Sequence, residues 1–458
     1  MIVVINPPPP PARTWTERLH LKPGVRALAA ALFVYGFGEE LWFRYLPAYL
    51  RVLGASPFLV GLFGTAKDLL DAGYAYPGGL VADRLGSRRA LLCFGLLTTA
   101  GFALYLGHPS VPVLFGGLLL VMAWQSLGLP ATFSLIHEEL AGGGRLVGFT
   151  VQSVVKRLPI ILAPPLGGWL IGRYGMGGGM RIGFAVSVGT SLLMLIGLRR
   201  SFQLERSAGS AVAAGSPGSA GAAGSPGAPG TPGSSGASGP PGSAGSPALP
   251  GAAGAAGRVA RRPRPRVRLH PALRRLLVAD CLIRLCEGLP EVFLVVWALE
   301  VARISPARFG ILTAILMATA IASYVPAALL AERAEKKAFV VLTYAFFTLF
   351  PLAVVLSHSY AALAAAYVVG GLREIGEPAR KALIVDLALG DPGATVGLYY
   401  SIRGFAVAGA AAVGGALWMV SPSLTFLVAA GLGAAGTLWA ALSLPSAGQR
   451  SAAAAVQS

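Results

Sequence analysis

The chain has 458 residues, of which 55% are hydrophobic and only 12% charged, and its formal net charge is +18. Soluble globular proteins carry about 25% charged residues, so this composition excludes an ordinary soluble domain and indicates an integral membrane protein. The basic residues lie between apolar runs and form no nucleic-acid-binding motif. We therefore expect no nucleic-acid partner, and we assign the basic residues to cytoplasmic loops, which are rich in Lys and Arg.

Apolar stretches long enough to cross a bilayer, about 20 residues each, occur in two groups of six. The first group covers approximately residues 25–50, 58–82, 88–107, 110–134, 146–172 and 180–198. The second covers approximately residues 273–300, 307–331, 338–357, 360–384, 395–419 and 423–445. We number these stretches as spans one to twelve. They predict an all-α integral membrane protein with twelve transmembrane helices in two six-helix bundles.

The spans divide the chain into five predicted regions. These are an N-terminal tail (1–23), a first bundle (24–200), a linker that is first Gly/Ala/Ser/Pro-rich and then Arg-rich (201–271), a second bundle (272–446) and a C-terminal tail (447–458). Basic residues cluster before span one and after spans two, six and eight, which predicts that both tails and the linker are cytoplasmic. No cleavable signal is visible. We expect a multi-pass protein of the plasma or inner cell membrane.

Within the linker, residues 215–257 carry glycine at nearly every third position, which is a collagen-like period. A short triple helix there would make the protein a trimer, whereas a flexible linker would leave it a monomer. The number of triplets is small and prolines are sparse, so we favour the linker and a monomer.

The two bundles are related by an internal repeat. An offset of 249 residues carries Pro57 onto Pro306, and an offset of 248 carries Gly128 onto Gly376. The sequence therefore predicts two copies of a six-helix unit, with a binding site between them near the bilayer midplane.

Residues 78–90, between spans two and three, read GGLVADRLGSRRA. Small residues permit close helix packing in membranes, a glycine after an Asp-Arg pair permits a turn, and the arginines hold the loop in the cytoplasm. A fainter copy at 327–339 lacks both equivalent glycines. A plain topology signal is the alternative to a gating role. The residues of the predicted gating loop are Gly79, Asp83, Arg84, Gly86, Arg88 and Arg89.

This stretch resembles the signature loop of the major facilitator superfamily, Gly-x-x-x-Asp-Arg/Lys-x-Gly-basic-basic, with Ser87 at a position that is often basic. The resemblance implies a secondary transporter of twelve spans. It also implies that the loop clasps the inner face in one conformation and releases it in the other. It does not identify a substrate.

Two further patterns bear on the type of transporter. Ala163 to Gly168, Ala-Pro-Pro-Leu-Gly-Gly, resembles the Gly-Pro-x-x-Gly-Gly of proton antiporters in this superfamily, although a kinked, closely packed helix explains it equally well. The family's arginine in span four is missing. Gln125 lies in that neighbourhood, and its repeat mate is Arg373. This substitution weakens the case for a standard drug–proton antiporter.

Ionisable side chains at bilayer depth are costly and face a cavity or a partner. Some of them are spaced three or four residues apart and can form ion pairs on one helix face, which is their structural alternative. These pairs are Glu40–Arg44, Lys67–Asp71, Arg373–Glu377 and Arg284–Glu287. The full set of candidate substrate- and proton-binding residues is Glu39, Glu40, Arg44, Lys67, Asp68, Asp71, Lys156, Arg157, Arg284, Glu287, Glu291, Arg373, Glu374, Glu377 and Arg403.

Three of these bases, Lys156, Arg157 and Arg403, have no acid in reach on their own helix. Each needs a carboxylate from another helix or an anionic group of the substrate. We expect one of the three to contact the solute.

Burial in a low-dielectric environment favours the protonated form of a carboxyl group. Glu39, Glu40, Asp68 and Glu287 are therefore the candidate proton carriers.

The sequence thus predicts a secondary active transporter for a small organic solute, coupled to a proton or another ion and embedded in the lipid bilayer. The stretch at 163–168 favours export, and the mixed charges favour the alternative, uptake of a charged nutrient. A non-transporting receptor is a third hypothesis. We expect no enzymatic activity, since no nucleophile–base or metal-ligand spacing occurs, and we expect no cofactor or metal.

Overall fold

The computed structural model describes residues 23–127, 145–214, 269–333, 336–388 and 392–444, which contain helices and turns but no strand. Predictions that fall elsewhere, including the collagen-like stretch at 215–257, lie outside the described residues. The chain forms two compact units, one of residues 1–206 with 267–458 and one of residues 207–266. The first unit contains both predicted bundles. Of the second, only residues 207–214 are described, and they are helical.

Helical segments cover all twelve predicted spans in the described part of the chain, and we label them α1 to α12 after the spans. In the first half, α5 and α6 form one helical stretch that is divided at Gly175, where the backbone is not helical (φ 74°, ψ 167°). The segments are α1 (Pro23–Glu40 and Leu46–Val52, joined by the 3-10 turn Phe43–Tyr45), α2 (Pro57–Leu85), α3 (Ser87–Gly107), α4 (Val111–Met122, then the π turn Ala123–Leu127), and α5 with α6 (Arg145–Ala214).

The second half has two helices with central breaks, α10 and α11. Its segments are α7 (Pro271–Glu291 and Leu294–Val296, then the π turn Trp297–Val301), α8 (Pro306–Arg333), α9 (Lys336–Leu356), α10 (Tyr360–Leu372 and Glu377–Asp386), α11 (Pro392–Val407 and Ala410–Val420) and α12 (Pro422–Ser443).

Six of the described helical stretches are long and apolar enough to cross a membrane on length and composition alone. One of them, Arg157–Gln203, has 47 residues and contains the break at Gly175, so it is long enough for two crossings of about 20 residues each. The all-helical membrane fold is confirmed. The count of twelve crossings stays a prediction.

The helix starts follow local sequence signals. Ser56 accepts a hydrogen bond from the backbone N–H of Leu59 at 3.2 Å, and Pro57 occupies the first turn of α2. A serine cap satisfies an N–H that has no partner within the helix, and proline is favoured at the first helical position because it lacks that N–H. Ser359 caps α10 in the same way, by accepting from Ala362 N at 3.2 Å.

Two matching helix contacts join the halves at one end of the molecule, which we call the closed end. α2 packs on α11, where a Cβ at Gly61 would overlap the carbonyl oxygen of Ala411. α8 packs on α5, where a Cβ at Gly310 would overlap the carbonyl oxygen of Pro164. Gly61 and Gly310 are repeat mates, so the internal repeat is reproduced as an approximate two-fold relation in the packing.

Polar contacts reinforce the closed end. The hydroxyl of Tyr45 in α1 donates to the carbonyl oxygens of Pro164 and Pro306, at 2.7 and 3.0 Å. Arg51 Nε lies 3.3 Å from Glu300 Oε1 in an ion pair between the halves. Arg51 and Glu300 are 249 residues apart, which is the repeat offset, so this ion pair joins mated positions across the two-fold relation.

The repeat offset changes where a helix contains a π turn. Leu289 lies 248 residues after its mate Leu41, whereas Pro306 lies 249 residues after its mate Pro57. The π turn Trp297–Val301 lies between Leu289 and Pro306. The offset returns to 248 at Gln125, within the π turn Ala123–Leu127 of the first half. A π turn contains one residue more than an α turn. Single-residue insertions within helices therefore account for both changes.

Candidate functional site

A cavity of about 240 Å³ lies between the two halves. Helices α1, α2 and α5 line it from the first half, and α7, α8 and α10 line it from the second. Most of the lining is apolar or aromatic, including Phe63, Phe309 and Tyr367. The closed-end contacts begin directly beyond it, because Tyr45 and Gly310 follow lining residues in the chain. The charged lining residues are Arg44, Lys67, Glu287, Glu291 and Arg373.

The first-half charges that face the cavity are paired. Arg44 Nε lies 2.9 Å from Glu40 Oε2, so the predicted pair four residues apart is confirmed. The predicted pairing of Lys67 with Asp71 is wrong. Lys67 pairs with Asp68 at 3.1 Å, whereas Asp71 accepts a hydrogen bond from the hydroxyl of Ser126 in α4 at 2.6 Å. The hydroxyl of Ser126 on the neighbouring helix thus takes the place at Asp71 that the sequence spacing had assigned to Lys67.

Glu39 lies behind this lining, with only 2% of its surface exposed. The hydroxyl of Tyr35 donates to one of its carboxylate oxygens at 3.2 Å, and the side-chain amide of Gln125 donates to the other. Both donors are neutral. A carboxyl group held by neutral donors is able to keep hydrogen bonds in its charged and in its protonated form.

A buried network of alternating charges connects four helices of the second half. At its centre is Asp280 of α7, which is fully buried. Arg380 Nη1 lies 2.7 Å and Arg403 Nη1 3.1 Å from Asp280 Oδ2. The hydroxyls of Tyr399 and Tyr344 donate to the same carboxylate, at 3.0 and 3.4 Å. Burying this carboxylate is tolerated because two cations and two hydroxyls satisfy it.

The network continues from Arg380 to the cavity. Arg380 also pairs with Glu377 at 2.6 Å, and Arg284 lies 3.6 Å from Glu377. Arg284 pairs with Glu287 at 2.5 Å, which confirms the predicted pair three residues apart. Arg373 completes the series at 3.5 Å from Glu287.

The predicted pairing of Arg373 with Glu377 is wrong, and the break in α10 explains why. Residues 373–376 form turns between Tyr360–Leu372 and Glu377–Asp386. Side chains four apart are neighbours on a continuous α-helix, and these turns remove that geometry for Arg373 and Glu377. Arg373 instead lies over the rings of Phe347 and Phe350, with centroid distances of 5.3 and 5.4 Å.

Two of the three bases without an acid on their own helix meet a carboxylate on another helix. Arg157 of α5 lies 3.5 Å from Glu374 of α10, and Arg403 of α11 pairs with Asp280 as described above. The Arg157–Glu374 pair joins the two halves. The side chain of Lys156 lies outside the described residues.

Glu291 and Arg373 offer unused hydrogen-bonding groups at the cavity. Glu291 forms no ion pair within the described part of the chain. The Nε of Arg373 is buried and has no hydrogen-bond partner among the described residues. Glu291 thus presents a free carboxylate to the cavity, and Arg373, which lines the same cavity, keeps one buried donor without a hydrogen bond.

The predicted gating loop lies at the end of α2 opposite the closed end. Gly86 has φ +78° and separates α2 from α3, so its predicted turn is confirmed. Asp83 and Arg84 are exposed and form no ion pair with any described residue. The loop's gating role stays a prediction, as does close packing at Gly79. The neighbouring Gly78 does pack against the backbone of Leu127 in α4.

The stretch from Ala163 to Gly168 is closely packed. A Cβ at Gly167 would overlap the backbone of Leu41, and one at Gly168 would overlap the carbonyl oxygen of Pro306. The structural explanation of this pattern, a closely packed helix, therefore holds whatever its role in transport.

Sequence reasoning missed Asp280 and Arg380, the most deeply buried members of the second-half network. A usable signal was present, because Asp280, Arg284 and Glu287 are spaced by four and three residues and so share one face of α7. Arg380 follows Glu377 by three residues in the same way. The two tyrosines carried no such signal, since they come from other helices.

Comparison with known proteins identifies the family. The family model of the Major Facilitator Superfamily matches residues 28–279. An uncharacterized MFS-type transporter of Mycobacterium tuberculosis is 27% identical over 149 residues, covering 31% of this chain and 35% of that protein. Sugar efflux transporter A of Escherichia coli is 28% identical over 176 residues, covering 37% and 43%. Quinolone resistance protein NorA of Staphylococcus aureus is 28% identical over 145 residues, covering 30% and 36%. The matched region therefore spans less than half of these relatives.

Solved structures share the fold over almost the whole chain. The nucleoside transporter NupG superposes with a TM-score of 0.66 at 12% identity and covers 92% of this chain and 100% of that one. The peptide transporter POT superposes with a TM-score of 0.63 at 16% identity and covers 92% and 93%. At these identities the likeness concerns the fold alone.

Proposed function

Since the chain belongs to the major facilitator superfamily of membrane transporters, we propose that it moves a small organic solute by alternating access and couples this movement to a proton. The observation that carries the proposal is a partly charged cavity that both halves line and that contacts between the halves close at one end. A site that two rigid halves share changes its access when the halves rock against each other. Family membership indicates a transporter rather than an enzyme.

The orientation follows from charge. The end of α2 opposite the closed end carries the gating loop with Arg84, Arg88 and Arg89, and basic loops stay in the cytoplasm. In this proposal the closed end therefore lies on the outer side of the membrane. The tails and the linker lie on the cytoplasmic side of the plasma or inner membrane, and the functional unit is a monomer.

Glu39 is the proton carrier in this proposal. It is buried, and the neutral side chains of Tyr35 and Gln125 donate hydrogen bonds to its carboxylate. The other candidate carriers, Glu40, Asp68 and Glu287, each pair with a cation at 3.1 Å or less. We choose Glu39 over these three because the neutral side chains of Tyr35 and Gln125 are among its partners.

The solute bears at least one charged group. Arg373, with its free Nε, suits an anionic group of the solute, and Glu291 suits a cationic or hydrogen-bond-donating group. A binding site with unpaired buried donors and acceptors disfavours solutes that lack matching polar groups. The charged lining therefore argues against a purely apolar solute.

Export is the direction we propose, because two relatives are a sugar efflux transporter and a quinolone resistance protein. The second candidate is proton-coupled uptake of a charged nutrient, and the five charged lining residues favour it. A non-transporting receptor is the third candidate, and any solute flux would exclude it.

The deciding experiment is flux in proteoliposomes, with a panel of anionic, zwitterionic and neutral solutes tested with and without an imposed pH gradient. We expect a charged solute to move faster when the gradient is imposed. Glu39→Gln is expected to abolish that dependence while downhill exchange of the solute persists. Glu300→Gln, which removes an exposed carboxylate at the closed end, is the matched control and should keep the dependence. Unaltered pH-driven flux in Glu39→Gln would refute the assignment of Glu39.

A further inference from the structure

A groove of about 190 Å³ lies between the start of α3 and the end of α6, away from the central cavity. We call it the arginine groove. Three of its six described lining residues are arginines, and none of the six is acidic. Two of the arginines, Arg88 and Arg89, belong to the gating loop, and the transport proposal assigns the groove no ligand. It is lined by Arg88, Arg89, Leu92, Arg199, Phe202 and Gln203.

The electrostatics of the arginine groove favour an anion. Arg88 is held over the ring of Phe202, 5.3 Å from its centroid. Arg89 and Arg199 are exposed and form no ion pair with any described residue. Like charges collected in one groove repel each other, and the positive end of the α3 dipole adds to the same potential, because the first turn contains no acid. A bound anion would relieve both effects.

The surroundings of the groove identify the kind of anion. α3 and α6 both belong to stretches that are apolar enough to cross a membrane. Leu96 and Leu97 on α3, and Leu193 and Ile196 on α6, are exposed and continue from the groove along the same helices. Exposed leucines on a membrane helix face lipid chains. A ligand that satisfies arginines at one end and leucines along its length is an amphiphile with an anionic head.

We propose that the arginine groove binds an anionic phospholipid of the cytoplasmic leaflet. Arg89 and Arg199 contact the phosphate, and the acyl chains lie along Leu96 and Ile196. Basic pockets between transmembrane helices on the cytoplasmic side recognise such headgroups. The groove joins the end of α6 to the start of α3, which directly follows the gating loop, so the bound lipid would link two helices of the first half beside that loop.

The test is lipid retention by the full-length protein in native mass spectrometry. The detergent-purified protein is loaded with phosphatidylglycerol or with phosphatidylcholine, and bound lipid is counted as collision energy rises. We expect the wild type to retain phosphatidylglycerol in preference to phosphatidylcholine. The double variant Arg89→Gln with Arg199→Gln should lose about 25-fold in phosphatidylglycerol affinity, since each arginine near an anionic surface contributes about fivefold.

Arg200→Gln is the matched control. Arg200 is exposed on the same helix, one residue from Arg199, but does not line the groove. It should retain phosphatidylglycerol as the wild type does. Equal retention of both lipids by the wild type, or equal losses in the double variant and in Arg200→Gln, would overturn the proposal.

A second measurement needs no variant and so remains decisive if the double variant fails to fold. The thermal unfolding midpoint of the wild type is recorded with phosphatidylglycerol, with phosphatidylcholine and with inorganic phosphate. A ligand that binds only the folded state raises that midpoint. We expect phosphatidylglycerol to raise it most and phosphate to leave it unchanged. A rise with phosphate equal to that with phosphatidylglycerol would show that the groove binds a soluble anion instead of a lipid.

Discussion

The two halves place a carboxylate at the same repeat position and hold it in different ways. Glu39 of α1 and Glu287 of α7 are 248 residues apart, and so are their partners, Gln125 of α4 and Arg373 of α10. The same pair of helices therefore provides the contact in both halves. In the first half the donor is a neutral amide, and in the second it is a guanidinium.

This difference separates two tasks that a coupled transporter needs. The neutral side chains of Tyr35 and Gln125 can hydrogen-bond to Glu39 in either of its protonation states. Two arginines, Arg284 and Arg373, hold Glu287 in its charged form and keep it at the cavity. Within the proposed function we therefore assign proton exchange to the first half, and the presentation of fixed charge to the solute to the second half.

The closed end shows the opposite situation, in which the two halves are alike. Gly61 with Ala411 and Gly310 with Pro164 form the same contact twice. Duplication therefore kept the packing that joins the halves and allowed the buried charges to diverge. Each of the following predictions tests either the shared packing or the divergent charge.

The largest effect is expected at Asp280, which has no charged equivalent in the first half, because its mate is Leu32. Asp280→Asn keeps the side-chain volume but leaves Arg380 and Arg403 without their carboxylate. Removing one partner of a buried ion pair costs about 3–5 kcal/mol, so we expect a large fall in the thermal unfolding midpoint in detergent. An unchanged midpoint would show that the second-half network does not stabilise the fold.

The control for Asp280→Asn is Glu300→Gln, which removes a carboxylate from an exposed pair with Arg51. Exposed ion pairs contribute about 1 kcal/mol or less, so its midpoint should stay close to that of the wild type. Simultaneous replacement of Asp280 and Arg380 by leucine and methionine should be less harmful than Asp280→Asn alone.

The next effect concerns the shared packing. Gly168→Ala on α5 introduces a methyl group against the carbonyl oxygen of Pro306, and Gly415→Ala on α11 does so against that of Pro57. Overpacking costs about 1–3 kcal/mol, and at this position it acts against the closed end. We expect both variants to open the closed end and to leave the fold intact.

Spin labels on Val52→Cys and Val301→Cys, two exposed sites beside the closed end, measure that opening by pulsed electron resonance. Both alanine variants should increase the population at long distances. Gly172→Ala and Gly409→Ala, where no atom lies within 4 Å of the added methyl group, should not. A response in only one of the two halves would contradict the two-fold equivalence of the contacts.

The sequence was sufficient for the fold because the signals were local and periodic. Twelve apolar stretches, the loop at 78–90 and the offset of about 249 residues predicted a membrane protein of this superfamily, and each depends on residues close in the chain or related by the repeat. Even the shifts of the offset were visible, although their cause, the π turns at Ala123–Leu127 and Trp297–Val301, was not.

Of the four predicted ion pairs two are confirmed and two are wrong, and the binding roles of the candidate residues stay a prediction. Arg284–Glu287 lies on a continuous helix, where spacing decides which side chains meet. Glu40–Arg44 forms although turns at residues 41–45 follow the end of the helix at Glu40. Arg373 lies at a helix break and turns to another helix, and no spacing rule covers that case. Asp280 depends on four helices meeting, which is tertiary information.

A smaller effect is expected from placing at position 125 the residue that its repeat mate, position 373, carries. Gln125→Arg gives Glu39 the guanidinium that Glu287 has. Because a neighbouring cation favours the charged carboxylate, we expect pH-gradient-driven flux to fall about tenfold, equivalent to about 1.4 kcal/mol. Downhill solute exchange should persist.

The reciprocal variant, Arg373→Gln, separates the two tasks. It removes a cation from the cavity and leaves Arg284 beside Glu287. We expect weaker solute binding, read as a higher KM, with the pH dependence retained. If Gln125→Arg raised KM and Arg373→Gln removed the pH dependence, the assignment of tasks to the halves would be reversed.

The smallest effect is expected at the ion pair that joins mated positions, Arg51 and Glu300. Both side chains are partly exposed. Arg51→Glu or Glu300→Arg alone should therefore change the free-energy difference between the forms with the closed end shut and open by less than about 1 kcal/mol. The two positions are related by the repeat offset. Exchanging the two residues therefore keeps one cation facing one carboxylate, with each charge now on the other half. The double variant, Arg51→Glu with Glu300→Arg, should therefore recover the wild-type distance distribution of the same spin labels. Added salt should reduce all of these differences, because exposed charges are screened. Recovery in the double variant would show that the two halves are interchangeable at this contact, whereas an additive loss would place the asymmetry at the closed end as well as in the buried charges.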